Sequence, residues 1–390
     1  MESALDGLRV LDFTTTIAGP HCGRLLADLG AEVIKVEAPE GDMMRTRLPL
    51  RDGASTSFGQ LNAGKKSIVL DLKSPRGAEA AKRLVATADV LVENFRPGVM
   101  RRFGLDYTEL KELRLELIYC AISGYGQTGP SSQLPAYAPV IHAASGYDLA
   151  HMAYQGEERR PDYCGIYIAD VLTGTYAFGA IIAALYQRQS TGRGQMIDVS
   201  MLESMLSLTL SEIQAAQFAV PPLGRPIFGP VATKDGYINL SIASERTFQN
   251  LAIASGHPDW ITDLRFAQYN NRRVNWGELI DELEAWSKDR TTQEVQALFD
   301  EHGVPSSPYR TVRETMTDPQ LAHRRAFAEI RDAGGTFLAL NPPFRMSGAR
   351  AAARPYAAAL GEHTEELLTE LGYTAEEIAA LPAPAARSRE

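Results

Sequence analysis

Residues 5–37 read LDGLRVLDFTTTIAGPHCGRLLADLGAEVIKVE and decide the fold class. The apolar run Leu8–Phe13 predicts a strand, and Pro20–Leu29, with leucines at 25, 26 and 29, predicts a helix. Glu32–Glu37 predicts a second strand. Gly30 stands between helix and strand, where a helix C-cap favours a residue with positive φ. A strand, a helix and a strand in close succession indicate the start of a parallel sheet.

The same alternation continues along the first third of the chain. We predict a helix over Arg76–Ala88 and strands over Val90–Glu93 and Leu117–Ser123. Strands that alternate with helices indicate a parallel sheet with helices on its faces. The fold class is therefore α/β, with a doubly wound (Rossmann-like) large domain.

The rest of the chain predicts a smaller domain and a return. After a long apolar helix from about Ile166, closed by Thr191–Gly194, we expect a strand over Met196–Val199 and a helix over Met201–Ala219. Pro221–Pro226 is typical of a linker. Beyond it come a strand at Gly236–Ile242, helices at Arg246–Ser255, Val274–Ser287 and Thr292–His302, and short strands within Arg325–Met346. The predicted domains are 1–220, large and catalytic; 221–324, a linker and a small α+β domain with no sheet-building rhythm of its own; and 325–390, a C-terminal segment that returns to the large domain.

Composition excludes several classes of protein. The 390 residues hold 39 Lys and Arg against 48 Asp and Glu, a net charge of -9, which argues against binding to nucleic acid. Hydrophobic residues make up 45% and charged residues 22%, as in a soluble globular protein. Three cysteines without paired spacing support neither disulfides nor a zinc site. The acidic N-terminus lacks an apolar core segment, so we expect a cytoplasmic protein.

One segment has the length of a membrane span. Ile166–Tyr186 is nearly all apolar or small over the roughly 20 residues that a bilayer requires. It also contains Asp170, Thr173 and Thr175. We therefore interpret it as a buried helix of a soluble enzyme and expect no membrane partner.

Familiar cofactor motifs do not occur. Glu37 ends the second strand, where a dinucleotide-binding fold places its ribose-binding acid, yet the preceding turn has no GxGxxG. The chain also has no P-loop, no metal-binding histidine spacing and no GxSxG nucleophile elbow. We expect neither a metal nor a tightly bound cofactor.

Asp170 is the unusual residue of this sequence, because a carboxylate among apolar residues is costly to bury. It can be the N-cap of a helix Val171–Tyr186, since Asp is a favoured cap. It can also be a nucleophile, held ionised by the helix dipole. The two interpretations are compatible, although from the residue alone the cap is favoured.

Several strings together resemble the class III CoA-transferases, the family of carnitine CoA-transferase and formyl-CoA:oxalate CoA-transferase. Their order and spacing cover nearly the whole chain. They are Leu5–Asp12, Ala18–Pro20, Leu26–Glu37, Asn62–Ser67, Leu70–Lys73, Val92–Gly98, Ala169–Asp170, Thr191–Gln195 and Leu360–Thr364.

The resemblance implies a site and a reaction. Asp170 would be the nucleophile that takes CoA from a donor acyl-CoA and passes it to a carboxylic acid through aspartyl anhydride and aspartyl-CoA thioester intermediates. CoA would be a thioester substrate, and the protein an intertwined homodimer. The family often has an arginine after the second strand, where this chain has Ala38-Pro39. CoA contacts would fall on Ile17, Ala18, Leu70, Asp71, Leu72, Lys73, Asn94, Phe95, Arg96, Arg102 and Tyr137.

Two alternatives stay open at this point. An acyl-CoA racemase of the same superfamily would need a histidine where this chain has Tyr137, and His142 lies five residues later. A CoA-binding protein without catalysis is the other. The acyl donor and acceptor are not identified by the sequence; we expect the acyl pocket in the loops around 128–150 and in the small domain. Glycines of those loops are candidate oxyanion donors, and Arg47, Arg51 and Arg225 would suit a dicarboxylate, although surface arginines are the simpler interpretation.

Overall fold

The computed structural model describes residues 2–155, 160–161, 164–219 and 227–382. Contacts between residues divide the chain into two units. The first unit comprises Met1–Leu149, Asp162–Leu210 and Gln320–Glu390, and the second comprises Ala150–Pro161 and Ser211–Pro319. The predicted linker Pro221–Pro226 lies outside the described residues. The predicted boundaries at 220 and 324 stay a prediction.

Strands and helices alternate through the first part of the chain. In chain order they are β1 (Arg9–Asp12), α1 (Ala18–Asp28), β2 (Glu32–Glu37), β3 (Leu50–Arg51), β4 (Ala54–Ser55), α2 (Thr56–Asn62), β5 (Lys65–Val69), α3 (Pro75–Thr87), β6 (Val90–Glu93), α4 (Val99–Arg102), α5 (Tyr107–Leu113) and β7 (Ile118–Ser123). A 3₁₀ turn over Met43–Thr46 follows β2.

Helices dominate the remainder. The elements are α6 (Ala138–Ala144), α7 (Tyr147–Tyr154), α8 (Ile168–Thr191), β8 (Met196–Ser200), α9 (Met201–Leu206), α10 (Leu210–Ala215), β9 (Phe228–Ala232), β10 (Tyr237–Ser241), α11 (Glu245–Ala254), α12 (Tyr269–Val274), α13 (Trp276–Ser287), α14 (Thr292–His302), β11 (Ser306–Pro308), α15 (Val312–Met316), α16 (Pro319–His323), β12 (Phe327–Asp332), β13 (Gly335–Leu340), α17 (Thr364–Glu370) and α18 (Ala375–Ala379).

A six-stranded parallel sheet organises the first unit, in the order β5-β2-β1-β6-β7-β8. Neighbouring side chains along a strand point to opposite faces, so Val10 and Leu11 of β1 enter two different hydrophobic clusters. One cluster packs the sheet against α3, α5 and α17, and the other packs it against α1 and α8. The predicted mixed α/β fold with a parallel central sheet is confirmed.

The strand order reverses between β1 and β6. From β1 the chain builds outward through β2 to β5, then crosses to β6 on the other side of β1. Such a reversal opens a crevice at the carboxyl ends of the two strands, where ligands bind in open α/β sheets. The residues that follow β1 and β6 are therefore placed for binding.

The edge strand β5 was absent from the prediction. Lys65 and Lys66 open it, so its first residues read as polar surface, yet Lys65 is fully buried. The segment 361–364 covers this edge: the His363 N–H donates to the Ser67 carbonyl at 2.9 Å, and the Val69 N–H donates to Thr364 Oγ1 at 3.1 Å. Exposed edges invite pairing with other chains, and this contact removes one.

Two further predictions were wrong in detail. The predicted helix Met201–Ala219 is broken after Leu206, where Ser207 and Thr209 donate their hydroxyls to backbone carbonyls in competition with helical bonding. The second unit, predicted without a sheet of its own, has three antiparallel strands in the order β11-β10-β9. Strand β9 contains Gly229 and Pro230, and both residues are unfavourable inside a strand. The sequence pattern therefore did not predict β9, which lies at an edge of this sheet.

Helix α8 is the long apolar helix, and Gly192 ends it in the left-handed conformation at φ 64°. An 18-residue stretch of this helix has a mean hydropathy of 1.7, which is high enough for a membrane span, and 39% of that stretch is buried. The predicted buried helix is thus buried along one face only, and Val171, Tyr176 and Tyr186 are exposed. Gly174 lies on the buried face, where a methyl group would be 2.3 Å from the Ala18 carbonyl oxygen of α1.

We expect Gly174→Ala to destabilise the first unit. The added methyl must displace backbone of α1, which cannot rotate away, and overpacking of this kind costs about 1–3 kcal/mol. Gly277→Ala is the matched control, because a methyl group there meets no atom within 4 Å. Thermal unfolding should show a lower Tm for Gly174→Ala alone. An unchanged Tm would contradict the close approach of α1 and α8.

Candidate active site

The turn between β1 and α1, residues 14–17, forms one wall of the crevice. Thr16 adopts φ 72°, which is rare for a β-branched residue. Asn94, which follows β6, binds the backbone of this turn. The Thr15 N–H donates to Asn94 Oδ1, and Asn94 Nδ2 donates to the Thr15 carbonyl, both at 2.8 Å. The Thr16 N–H donates to Asp42 Oδ1 at 3.3 Å. Surrounding contacts therefore fix an unfavourable backbone conformation.

Three buried ion pairs lie under this turn. Lys65 Nζ contacts Asp12 Oδ2 at 2.7 Å, and Lys35 Nζ lies 2.9 Å from Asp42 Oδ2. The third pair joins the Arg45 guanidinium to Glu37 through two bonds of 2.6 and 2.7 Å. Because the charges balance, the cluster is neutral as a whole.

The two lysines of this cluster also hold backbone. Lys35 Nζ donates to the Thr14 carbonyl at 2.8 Å, and Lys65 Nζ donates to the Pro20 carbonyl at 2.9 Å. Burial lowers the pKa of Lys65 to about 8, although Asp12 opposes the shift. Each ammonium group thus connects an acid to the main chain of the turn or of α1.

Asp170 lies opposite this turn, in the first turn of α8. The helix begins at Ile168 with Tyr167 as its N-cap, so the prediction that Asp170 caps a helix Val171–Tyr186 is wrong. The Asp170 carboxylate is half-buried and faces the backbone N–H of Ala18. Burial raises the pKa of Asp170 to about 6, and the Ala18 N–H opposes the rise. At neutral pH the carboxylate is mainly ionised and poorly hydrated, as suits a nucleophile.

His142 supplies an acceptor to the helix that carries Asp170. It is 1% exposed on α6, and its Nε2 accepts a hydrogen bond from the Ala169 N–H at 3.1 Å. No local pattern links two residues 27 positions apart, so sequence reasoning missed this contact. The neighbouring Tyr137 is the exposed N-cap of α6, and α6 packs against α8.

The other predicted CoA contacts lie at the carboxyl edge of the sheet. Ile17 and Ala18 follow β1, Leu70–Lys73 follow β5, and Asn94–Arg96 follow β6. Because carboxyl ends of parallel strands share one edge, these segments are brought to the same side of the sheet. Arg102 ends α4, shortly after β6.

These residues divide by what their side chains already do. Leu70 is buried, and Leu72 and Phe95 pack against the same cluster, while Asp71 accepts the Lys73 N–H. Asn94 is engaged by Thr15. Lys73, Arg96 and Arg102 are exposed, and within the described residues none of the three makes an ion pair, whereas Arg101 pairs with Asp106 at 2.8 Å. The three unpaired cations are available to an anionic ligand.

A cavity of about 350 Å³ adjoins the site. Its walls include Ile17 before Ala18 and Tyr167 before Asp170. The remaining lining residues are neutral: Met44, Thr56, Ser57, Gln60, Leu61, Phe337 and Leu338. None of them lies in the segments predicted to form the acyl pocket. Phe337 and Leu338 belong to β13, which follows Ile17 by more than 300 residues in the chain.

One candidate glycine and one candidate arginine have local explanations. A methyl group on Gly124 would lie 2.2 Å from Ala136 Cβ, so packing alone requires glycine there. Arg51 binds the β12–β13 hairpin through Gly334, Thr336 and Asp332. Arg225 lies outside the described residues. Arg47, just after the 3₁₀ turn that contributes Met44, is exposed and makes no ion pair in the part of the chain that the structure describes.

Comparison with known proteins gives matches that span nearly the whole chain. The model of CoA-transferase family III matches residues 5–364. The chain is 36% identical to succinyl-CoA--D-citramalate CoA-transferase of Chloroflexus aurantiacus over 97% of each protein. It is 35% identical to human succinyl-CoA:glutarate CoA-transferase, over 94% of this chain and 86% of the relative. The crystal structure of a CAIB/BAIF family protein from Brucella suis matches with a TM-score of 0.83 at 34% identity, covering 95% of this chain and all of that one.

Proposed function

The chain belongs to CoA-transferase family III and moves CoA from an acyl-CoA to a carboxylic acid, and we propose that Asp170 is the nucleophile of this transfer. The observation behind this proposal is the half-buried Asp170 carboxylate that faces the Ala18 N–H beside a neutral cavity. CoA enters as a thioester substrate. The proposed reaction uses no tightly bound cofactor.

The first half of the reaction unloads the donor. The ionised Asp170 oxygen attacks the thioester carbonyl, the C–S bond breaks, and CoA leaves as thiolate, so a mixed anhydride remains. The thiolate then attacks the aspartyl carbonyl of this anhydride. The donor acid leaves as a carboxylate, and Asp170 carries CoA as a thioester.

The second half reverses these steps with a new acid. The acceptor carboxylate attacks the aspartyl thioester and expels the thiolate, giving a second anhydride. The thiolate attacks the acceptor carbonyl of that anhydride, which releases the new acyl-CoA and regenerates the Asp170 carboxylate. Charge and atoms balance, and no step requires a proton.

The exposed cations account for recognition of CoA. Its phosphates require basic side chains and backbone N–H groups. Lys73, Arg96 and Arg102 are exposed cations on the edge of the sheet that holds the crevice, and they form no ion pair with any residue that the structure describes. The rest of the CoA molecule would contact Ile17, Ala18 and Leu70–Leu72. Tyr137 is exposed at the start of α6, which packs against α8, and it would be a further contact of CoA.

We propose that this chain uses succinyl-CoA as a donor, as the names of the two relatives say of them. The cavity beside Asp170 is neutral, so a second carboxylate of the acyl group needs a cation at its border. Arg51 is engaged by the hairpin, whereas Arg47 is exposed, forms no ion pair among the described residues and follows the 3₁₀ turn that contributes Met44, so we assign this role to Arg47.

The racemase alternative is disfavoured by the placement of His142. Its Nε2 already accepts a hydrogen bond from the helix backbone, and the ring is buried. A second acid or base facing Asp170 across a substrate would have to be accessible. Loss of an α-deuteron from a labelled acyl-CoA, without CoA exchange, would support the racemase. The absence of both reactions would indicate a CoA-binding protein without catalysis.

A cytoplasmic homodimer, with the sheet doubly wound and the two chains intertwined, completes the proposal. The exposed apolar side chains of α8 would be covered by a second copy, since an apolar helix face of this kind seeks a partner. Light scattering should give twice the chain mass of 42.6 kDa, and a monomer would contradict this part.

Asp170→Asn should abolish CoA transfer while the protein stays folded. Asparagine has almost the same size, but an amide cannot act as the anionic nucleophile. Wild type incubated with donor alone and quenched with hydroxylamine or borohydride should carry a mass change on the peptide containing Asp170. Asp281→Asn, an exposed helical aspartate in the second unit, should retain full activity. Adduct formation at another residue, or rapid turnover by Asp170→Asn, would refute the mechanism.

Arg102→Ala should raise the KM of every CoA donor alike, by about 10-fold, because a lost charged hydrogen bond to phosphate does not sense the acyl group. Arg101→Ala is the matched control for Arg102→Ala, since Arg101 is already paired with Asp106.

Arg47→Gln should raise the KM for succinyl-CoA and leave the KM for acetyl-CoA unchanged. Equal effects of Arg47→Gln on both donors would remove Arg47 from the acyl pocket.

A further inference from the structure

His142 has an unusual place for a titratable side chain. It lies in the last turn of α6, 1% exposed, with its ring tilted against that of Tyr147 at a centroid distance of 6.0 Å. Nε2 accepts the hydrogen bond from the Ala169 N–H. Nδ1 is buried and has no hydrogen-bond partner among the described residues.

The geometry determines the state of the ring. Because Nε2 accepts a hydrogen bond from an N–H, it carries no proton, and the proton of a neutral imidazole is on Nδ1. Burial lowers the pKa of His142, against the opposing charge of Asp148, which favours the same neutral form. In its neutral form His142 therefore accepts the Ala169 N–H through Nε2.

The bond satisfies a group that its own helix cannot satisfy. N–H groups in the first turn of a helix have no intrahelical partner, and the Tyr167 N-cap of α8 gives no side-chain bond. Thr173 holds the other end of the same residue: its hydroxyl donates to the Ala169 carbonyl at 2.5 Å. Both backbone polar groups of Ala169, directly before Asp170, are therefore fixed by buried side chains.

We propose that His142 is a positioning residue that clamps the Ala169 backbone and so aims the Asp170 carboxylate at the thioester. The proposal rests on Asp170 as the nucleophile. A carboxylate attacks efficiently only within a narrow range of distance and angle, and a displacement near 1 Å costs roughly 10²-fold in rate. Fraying of the first turn of α8 would produce such a displacement.

Two substitutions separate the acceptor from the bulk of the ring. His142→Gln places an amide oxygen near the position of Nε2 and can accept the Ala169 N–H, whereas His142→Leu fills the pocket without an acceptor. We expect His142→Leu to lower kcat by about 10- to 100-fold with the KM for the donor unchanged, and His142→Gln to restore most of kcat. The rate of adduct formation on Asp170 should fall in parallel with kcat.

The controls distinguish this inference from a merely structural role and from the function beneath it. Suppose that His142→Gln and His142→Leu both have the Tm and the kcat of wild type, while Asp170→Asn is inactive. The positioning role of His142 is then refuted, and Asp170 remains the nucleophile. An equal loss of kcat in His142→Gln and His142→Leu would refute the role of the acceptor. Activity of Asp170→Asn would instead refute the proposed function. Should His142→Leu not fold, Thr173→Val, which removes the second contact to Ala169, must show the same loss of kcat at unchanged KM.

Discussion

Three buried ion pairs under the turn of residues 14–17 are the constraint on which the site depends. A buried pair is seldom more stabilising than apolar residues of the same volume, so stability alone does not explain them. Their distinctive feature is that Lys35 and Lys65 each donate to a main-chain carbonyl, of Thr14 and of Pro20. Removal of one partner would leave a buried charge uncompensated, at a cost of about 3–5 kcal/mol. The cluster binds the Thr16 N–H through Asp42 and the carbonyls of Thr14 and Pro20, which lie on either side of Ala18 in the chain.

The same cluster explains what the sequence could predict of the fold. The strands Glu32–Glu37 and Val90–Glu93 have the predicted bounds, because their apolar content indicates burial on both faces of a parallel sheet. Strand β5 has the same environment but begins with a lysine whose burial depends on Asp12, 53 residues earlier in the chain. No pattern within β5 reveals that partner. Sequence reasoning therefore placed the centre of the sheet and its edge strand β8, and missed the other edge strand, β5.

The candidate site shows the same division. Asp170 was identified because a single acid among apolar residues is costly and because its surroundings resemble a family. Its geometry was not predictable: the start of α8 at Ile168 leaves the acid inside the first turn, and the acceptor for that turn comes from His142 on another helix. The Asn94 side chain is bound to the Thr15 backbone on both sides of its amide, a contact that the sequence did not predict, and its contact with CoA stays a prediction. Residue types indicated the chemistry, whereas long-range contacts determine which group performs it.

The central claim is that Asp170 reacts as a carboxylate whose pKa is raised to about 6 by burial. The most direct test is the pH dependence of the single-turnover rate of adduct formation on Asp170 at saturating donor. Since only the ionised form attacks, the rate should be level at neutral pH and fall about 10-fold per unit as the pH drops below 6. A rate that stays constant down to pH 5 would contradict the account.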